Sequence, residues 1–181
     1  MRPYAGVKRI LLVCYNITLV NYLRRLLANK GVPLGVEGVN GHHFFDLCAE
    51  ILGEPVNHAG EDSDYYQLVI QECLERLQSS SVRYEAVLVD EGQDFSPDML
   101  SIVRGLLAPG AERFVVAMDH NQALYNLQSG QCSDHSLPVS KIQPVSYVYR
   151  NTQEISQLAL DFLTATGNIS ASGDMRPDTS F

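Results

Sequence analysis

The stretch that decides the fold is YEAVLVDEGQD, at residues 84–94. It contains a continuous apolar run from Ala86 to Val89 and ends in a cluster of acids that begins with Asp90 and Glu91. An unbroken apolar run of this length is typical of a parallel strand that is covered on both faces. Because ligands bind at the carboxyl ends of the strands in such sheets, the acidic tip predicts a site as well as a strand.

Three other parts of the chain carry strand signals. Residues 9–15 (RILLVCY) and 114–119 (FVVAMD) are mostly apolar runs, and residues 145–149 (VSYVY) form a shorter candidate. Amphipathic segments with helical spacing lie between and after these runs, at residues 19–27, 44–52, 65–77, 97–107 and 151–163. Strands that alternate with helices predict an α/β fold, with a parallel sheet and helices on both faces.

Length and composition narrow the class of protein. A chain of 181 residues with 45% hydrophobic residues can bury one sizeable core. No apolar run approaches the ~20 residues that a membrane span needs, so no membrane partner is expected. The four cysteines form no Cys-x-x-Cys pair, and the early apolar run at residues 10–14 is too short for the core of a secretory signal. Scattered thiols of this kind predict a reduced, cytoplasmic protein.

The charge balance argues against a simple nucleic-acid-binding module. The formal net charge is −8, and the chain has only 13 lysines and arginines. Contacts to phosphates are made mainly by these two residue types. Composition alone therefore favours a soluble enzyme or an interaction domain.

The adjacent carboxylates Asp90 and Glu91 suit the hydrolysis of a nucleotide. One carboxylate can hold Mg²⁺, usually through its water ligands, while the next polarises the attacking water. The alternative is a hydrophilic turn between a strand and a helix, which is common. However, average amino-acid usage gives the full Asp-Glu-x-Gln-Asp pattern on the order of once in a thousand chains of this length.

Five segments resemble the motifs of UvrD/Rep-like superfamily 1 DNA helicases, and they occur along the chain in the same order as in that family. LVDEGQD at 88–94 resembles their Walker B motif, or motif II, and is the most specific of the five. Residues 10–23 resemble motif Ia, and HFFDLC at 43–48 is similar to the next motif on the DNA side. DHNQALY at 119–125 resembles motif III, and YRNT at 149–152 resembles motif IV.

The resemblance implies a RecA-like motor domain that uses ATP and Mg²⁺. Asp90 would hold the Mg²⁺, and Glu91 would act as the general base. Gln122 would sense the γ-phosphate and couple it to DNA contacts. Tyr149 would stack on the adenine, and Arg150 would stabilise charge on the transferred phosphoryl group. The alternatives are that Gln122 caps a turn, that Tyr149 is an ordinary strand-end aromatic, and that Arg150 is a surface residue.

The same resemblance implies contacts with single-stranded DNA. The residues expected on the DNA side are Tyr15, Asn16, Phe44 and Phe45. Phe44 and Phe45 are equally suited to the core or to stacking on bases. Tyr125 is followed by Asn-Leu-Gln, where the family often has Trp and Arg, and the chain contains no tryptophan. Base stacking at that point is therefore not expected.

The main departure from the family is the absence of a Walker A loop. No Gly-x-x-x-x-Gly-Lys-Ser/Thr occurs in the sequence, so the backbone amides and the lysine that hold nucleotide phosphates are not supplied. We therefore expect residues 1–163 to be a partial RecA-like domain, with a minimal inserted subdomain at about 53–84. Residues 164–181 are expected to be a tail or the start of a linker to a second motor domain.

The function expected from these features is that of part of an ATP-dependent DNA helicase, whose missing Walker A segment and second motor domain would lie in the parent chain. The chain alone is expected to be inactive and to hold no nucleotide tightly. One alternative is a non-catalytic RecA-like scaffold for proteins or nucleic acid, and another is a phosphate-loop nucleoside triphosphatase that does not unwind DNA.

The missing loop also predicts an opened sheet. In RecA-like domains the phosphate-loop strand lies between the motif III strand and the strand before motif IV, here 113–118 and about 145–149. An opened edge leaves backbone amides and carbonyls unpaired, which is costly. We therefore expect either direct pairing of these two strands or a dimer formed through the edge.

Overall fold

The computed structural model of the chain describes residues 7–57 and 63–118, each as one continuous stretch. It also describes residue 141 and the short pieces 147–148, 154–155, 157–158, 161–162 and 176–177. The chain divides into two units, Met1–Ser136 and Leu137–Phe181. The site and most of the described elements belong to the first unit.

The first unit is built on a parallel sheet of four strands with helices between them. In chain order, the elements are Ile10–Cys14 (β1), Ile17–Asn29 (α1), Val39–His43 (β2), Phe44–Leu52 (α2), Ser63–Arg76 (α3), Ala86–Asp90 (β3), Pro97–Gly105 (α4) and Arg113–Val116 (β4). The strand order is β2-β1-β3-β4, and every pair is parallel. The predicted α/β fold with a parallel sheet is confirmed.

Helices cover both faces of this sheet, as the sequence predicts. A methyl group added to Gly41 on β2 would lie 3.8 Å from Cγ1 of Val20, which places α1 against that face. The next residue along β2, His42, points to the other face, where its Nε2 lies 3.5 Å from Oε2 of Glu50 on α2. Successive residues of a strand point to opposite faces, so α1 and α2 lie on opposite sides of the sheet.

The two faces are not buried equally. Leu11 and Val13 of β1 are paired in register with Val87 and Val89 of β3, and all four side chains are at most 2% exposed. The neighbouring residues point to the α1 face. There Leu12 and Leu88 are only partly buried, and Val115 of β4 is 53% exposed. The core of the described part of the chain therefore lies mainly on the α2 side.

Local signals in the sequence set the helix ends. The Asn16 side chain accepts a hydrogen bond of 3.1 Å from the Leu19 amide and so caps α1. Gly53 ends α2 with a left-handed backbone, at φ 77°. Ser96 caps α4 by accepting from the Met99 amide at 3.3 Å, and Pro97 takes the first helical position as predicted.

Two strands differ from the sequence-based expectation. β2 was not predicted, because Val-Asn-Gly-His-His has neither an apolar run nor a clean alternation. This strand forms through its pairing with β1, which is a tertiary interaction that periodicity cannot reveal. β4 ends at Val116, before the predicted end at residue 118.

The second unit contains a small parallel pair of strands. Tyr147–Val148 (β5) pairs with Arg176–Pro177 (β6), which lies in the range predicted to be a tail. The expected direct pairing between residues 113–118 and 145–149 stays a prediction, because only residues 147 and 148 of the second range are described. Dimer formation through the sheet edge stays a prediction.

Gly92, just after β3, allows the chain that follows β4 to approach closely. Its amide donates a 2.8 Å hydrogen bond to the Ala117 carbonyl, and the Ala117 amide donates to the Val89 carbonyl at 2.9 Å. A methyl group at Gly92 would lie 2.4 Å from Cγ1 of Val116 and 3.2 Å from the Ala117 oxygen. The position therefore requires glycine because of space, not because of its backbone angles.

We expect Leu100→Ala to lower the free energy of unfolding by about 2–5 kcal/mol, because it empties a fully buried site on α4. The matched control is Leu68→Ala on α3, where the side chain is 64% exposed and the change should stay within about 0.5 kcal/mol. Urea denaturation followed by circular dichroism measures both. Equal effects of the two substitutions would contradict this packing.

We expect Gly92→Ala to destabilise the chain by about 1–3 kcal/mol through overpacking against Val116. The double variant Gly92→Ala, Val116→Ala should lose less stability than the sum of the two single variants, because the clashing methyl group is gone. Thermal denaturation of the four proteins gives the comparison. Strict additivity would mean that residues 92 and 116 are not in contact.

Candidate functional site

The acidic turn after β3 lies at the carboxyl edge of the sheet. Asp90 is the last residue of β3 and is paired in register with Cys14, which is itself paired with His43 at the end of β2. Asp90 and Glu91 are both partly exposed. The two predicted carboxylates therefore lie at the edge of the sheet where ligands of α/β proteins bind.

Glu91 has an unusual backbone conformation. Its φ of 56° and ψ of 46° are left-handed, and it is the one non-glycine residue with positive φ in the part of the chain that the structure describes. For an L-residue with a side chain this costs about 1–2 kcal/mol. Non-glycine residues held in this region occur preferentially at functional sites.

Two hydrogen bonds made by the backbone of Glu91 hold it in this conformation. Its amide donates to Oδ1 of Asp90 at 3.1 Å, and its carbonyl accepts from the Asp94 amide at 3.0 Å. The next residue, Gly92, begins a single 3-10 turn that ends at Asp94. The turn therefore fixes the Asp90 carboxylate and the Glu91 backbone relative to the end of β3.

A hydrogen bond within the turn holds the Glu91 side chain. Nε2 of Gln93 donates to Oε2 of Glu91 at 2.5 Å, and the Gln93 side chain is only 4% exposed. Sequence reasoning did not single out Gln93 as a partner of Glu91. The available signal was the position of Gln93 two residues after Glu91 in the Asp-Glu-x-Gln-Asp pattern.

Burial and negative charge affect two neighbouring groups. Burial raises the pKa of Asp94, and the charge of Glu91 raises it further. Burial raises the pKa of the Cys14 thiol to about 12, with smaller contributions from Asp90 and Glu91. Cys14 is therefore a neutral thiol at neutral pH, so it is not a thiolate nucleophile or a ready metal ligand there.

The residues at this edge are suited to holding Mg²⁺, but they do not supply a phosphate-binding loop for a nucleotide. Mg²⁺ keeps several waters and is commonly held by one or two carboxylates together with phosphate oxygens, which suits Asp90. The described residues contain no cluster of three or more His, Cys, Asp or Glu side chains that could enclose an ion. Holding ATP would also require a phosphate-binding loop, and the sequence has no Walker A pattern.

The aromatic residues predicted on the DNA side lie mostly in the core. Phe44 is fully buried and Phe45 is 6% exposed, which favours the core alternative over base stacking. The Tyr15 ring is only partly buried, and its centroid lies 6.3 Å from that of Phe45 and 6.4 Å from that of Phe95. The side chain of exposed Asn16 caps α1.

Together these rings form an aromatic cluster beside the acidic turn. It consists of Tyr15, His43, Phe44, Phe45 and Phe95, whose neighbouring ring centroids are 5.2 to 6.4 Å apart. Phe95 directly follows the acidic turn and was not singled out from the sequence. The cluster packs the ends of β1 and β2 against the residue that follows the acidic turn.

Three predicted site residues lie outside the described residues. They are Gln122, Tyr149 and Arg150, and their roles toward the nucleotide stay predictions. In the described part of the chain, no helix combines the length and the apolar character that crossing a membrane requires.

Comparison with known proteins gives one significant result. The model of the UvrD/REP helicase N-terminal domain matches residues 19–136. This range includes Asp90, Glu91 and Gln122, but it begins after Asn16 and ends before Tyr149. Neither the search of curated proteins nor the search of solved structures gave a significant match. With the matching range covering most of the chain and the acidic turn at its expected place in a parallel sheet, the chain belongs to the UvrD/REP helicase N-terminal domain family.

Proposed function

We propose that this chain forms part of a motor that couples hydrolysis of Mg·ATP to movement along single-stranded DNA. The observation that carries the proposal is Glu91, held with a left-handed backbone beside Asp90 at the carboxyl edge of the sheet. A turn with no chemical role could place glycine at this position, because glycine adopts the left-handed conformation at less cost than glutamate does. The family match, to a helicase domain, supports the same assignment.

Each of the two carboxylates has its own task in this proposal. Asp90 would hold Mg²⁺, which would supply positive charge beside the phosphates when it is bound. Glu91 accepts a proton from the attacking water as the γ-phosphoryl group is transferred. Gln122 senses the γ-phosphate, Arg150 stabilises the charge that develops on the transferred phosphoryl group, and Tyr149 stacks on the adenine.

In our proposal, the groups that bind the nucleotide phosphates lie outside this sequence. A Walker A loop and a second motor domain supply the phosphate contacts that the present residues lack. DNA is then bound across several domains, which accommodates the net charge of −8 on this one. Because Phe44 and Phe45 are buried, we assign them to supporting the DNA-side surface and not to stacking on bases.

A second candidate function is a non-catalytic scaffold that keeps the fold. The absence of a Walker A pattern from the sequence favours it. The left-handed Glu91 and the hydrogen bond from Gln93 favour catalysis, because a scaffold needs neither. The experiments below separate the two.

We expect the present chain by itself to bind ATP weakly and to hydrolyse none, since it has no phosphate-binding loop. Calorimetric titration with ATP and Mg²⁺, together with a phosphate-release assay, measures both properties. The Glu91→Gln variant is the control for contaminating activity. Micromolar affinity, or turnover that this substitution abolishes, would mean that a nucleotide site exists within these residues.

In the full-length protein, we expect Glu91→Gln to keep Mg·ATP binding and to reduce the hydrolysis rate by on the order of 10²–10⁴-fold, because it removes only the general base. Asp90→Asn should instead raise the Mg²⁺ concentration needed for activity. Hydrolysis rates measured across a range of Mg²⁺ concentrations distinguish the two effects. Near-normal turnover in both variants would favour the scaffold function.

A further inference from the structure

We infer that Gln93 is a positioning residue that fixes the carboxylate of Glu91 for proton transfer. The inference rests on the proposed function, because it takes Glu91 to be the general base of that function. It is carried by the 2.5 Å hydrogen bond from Nε2 of Gln93 to Oε2 of Glu91 and by the burial of Gln93.

The two side chains differ in how firmly they are held. Gln93 is 4% exposed, so its amide has little freedom to rotate. Glu91 is partly exposed and has three rotatable side-chain bonds, so without a partner its carboxylate would sample many orientations. The buried amide therefore acts as the fixed anchor and the carboxylate as the group that it orients.

The hydrogen bond uses only one of the two carboxylate oxygens. Oε2 accepts from Gln93, which leaves Oε1 to accept a proton from water. The backbone of Glu91 is already fixed by the Asp90 side chain and the Asp94 amide. With both backbone and side chain held, the base is oriented before the nucleotide arrives, and proton transfer depends strongly on such orientation.

The competing explanation is that Gln93 serves only to fill space in the turn. Its burial suits that role equally well, so loss of stability in a variant would not separate the two. The two explanations differ in whether the effect of removing Gln93 depends on the presence of Glu91. A positioning residue acts through the base, so its removal should matter only when the base is present.

The experiment is a double-mutant cycle on the full-length protein, with ATP hydrolysis measured under single-turnover and steady-state conditions. The variants are Gln93→Leu, Glu91→Gln and the two combined. Gln93→His retains an N–H donor on a side chain of similar reach. Gln71→Leu, at an exposed position on α3, is the matched control. The melting temperature of each variant of the present chain shows whether the fold is kept.

We expect Gln93→Leu to lower kcat by on the order of tenfold to a hundredfold with KM for ATP unchanged, since misplacing a reacting group by about 1 Å has effects of that size. It should cause no further loss in the Glu91→Gln background. Gln93→His should recover part of the rate, and Gln71→Leu should match the wild type.

Three results would overturn the inference while leaving the proposed function intact. They are a wild-type rate for Gln93→Leu, losses that multiply in the double variant, and an equally deep loss for Gln93→His in a protein of wild-type melting temperature. If Glu91→Gln itself hydrolyses ATP at the wild-type rate, the proposed function fails and the inference fails with it.

Discussion

The pair of backbone hydrogen bonds between the end of β3 and residue 117 is the constraint on which the site depends. Gly92 donates to the Ala117 carbonyl, and the Ala117 amide donates to Val89. These two bonds bring the chain after β4 against the acidic turn. They flank Glu91, whose backbone lies in the left-handed region. The cost of that conformation is met by strand pairing, so the chemistry of the turn depends on the integrity of the sheet.

The sheet in turn depends on a core that lies mainly on one side. The face formed by Leu11, Val13, Val87 and Val89 is closed, whereas the face toward α1 is open at Val115 in the described residues. Parallel sheets are ordinarily covered on both faces. The central strands β1 and β3 pack through this closed face, and Asp90 is the last residue of β3. The part of the site nearest the carboxylates therefore rests on the best-packed region of the first unit.

The sequence predicted those parts of the structure that depend on local chemistry. The apolar run before Asp90, the Ser96-Pro97 helix start and the glycine after α2 all specify their structure within a few residues. β2 could not be predicted in this way, because its polar sequence becomes a strand only by pairing with β1. The burial of Phe44 was equally undecidable, since an aromatic residue at a helix start suits either a core or a surface. The contact between Gln93 and Glu91 needed the turn geometry, which the residue spacing alone does not give.

The left-handed backbone at Glu91 has a consequence for protein design. A sequence chosen only to fit this backbone would place glycine or asparagine at position 91, since both tolerate the conformation better than glutamate does. Such a redesign would raise the calculated compatibility of sequence and fold while deleting the carboxylate. Positions where the native residue fits its backbone poorly are therefore the ones to hold fixed when the family fold is used as a scaffold.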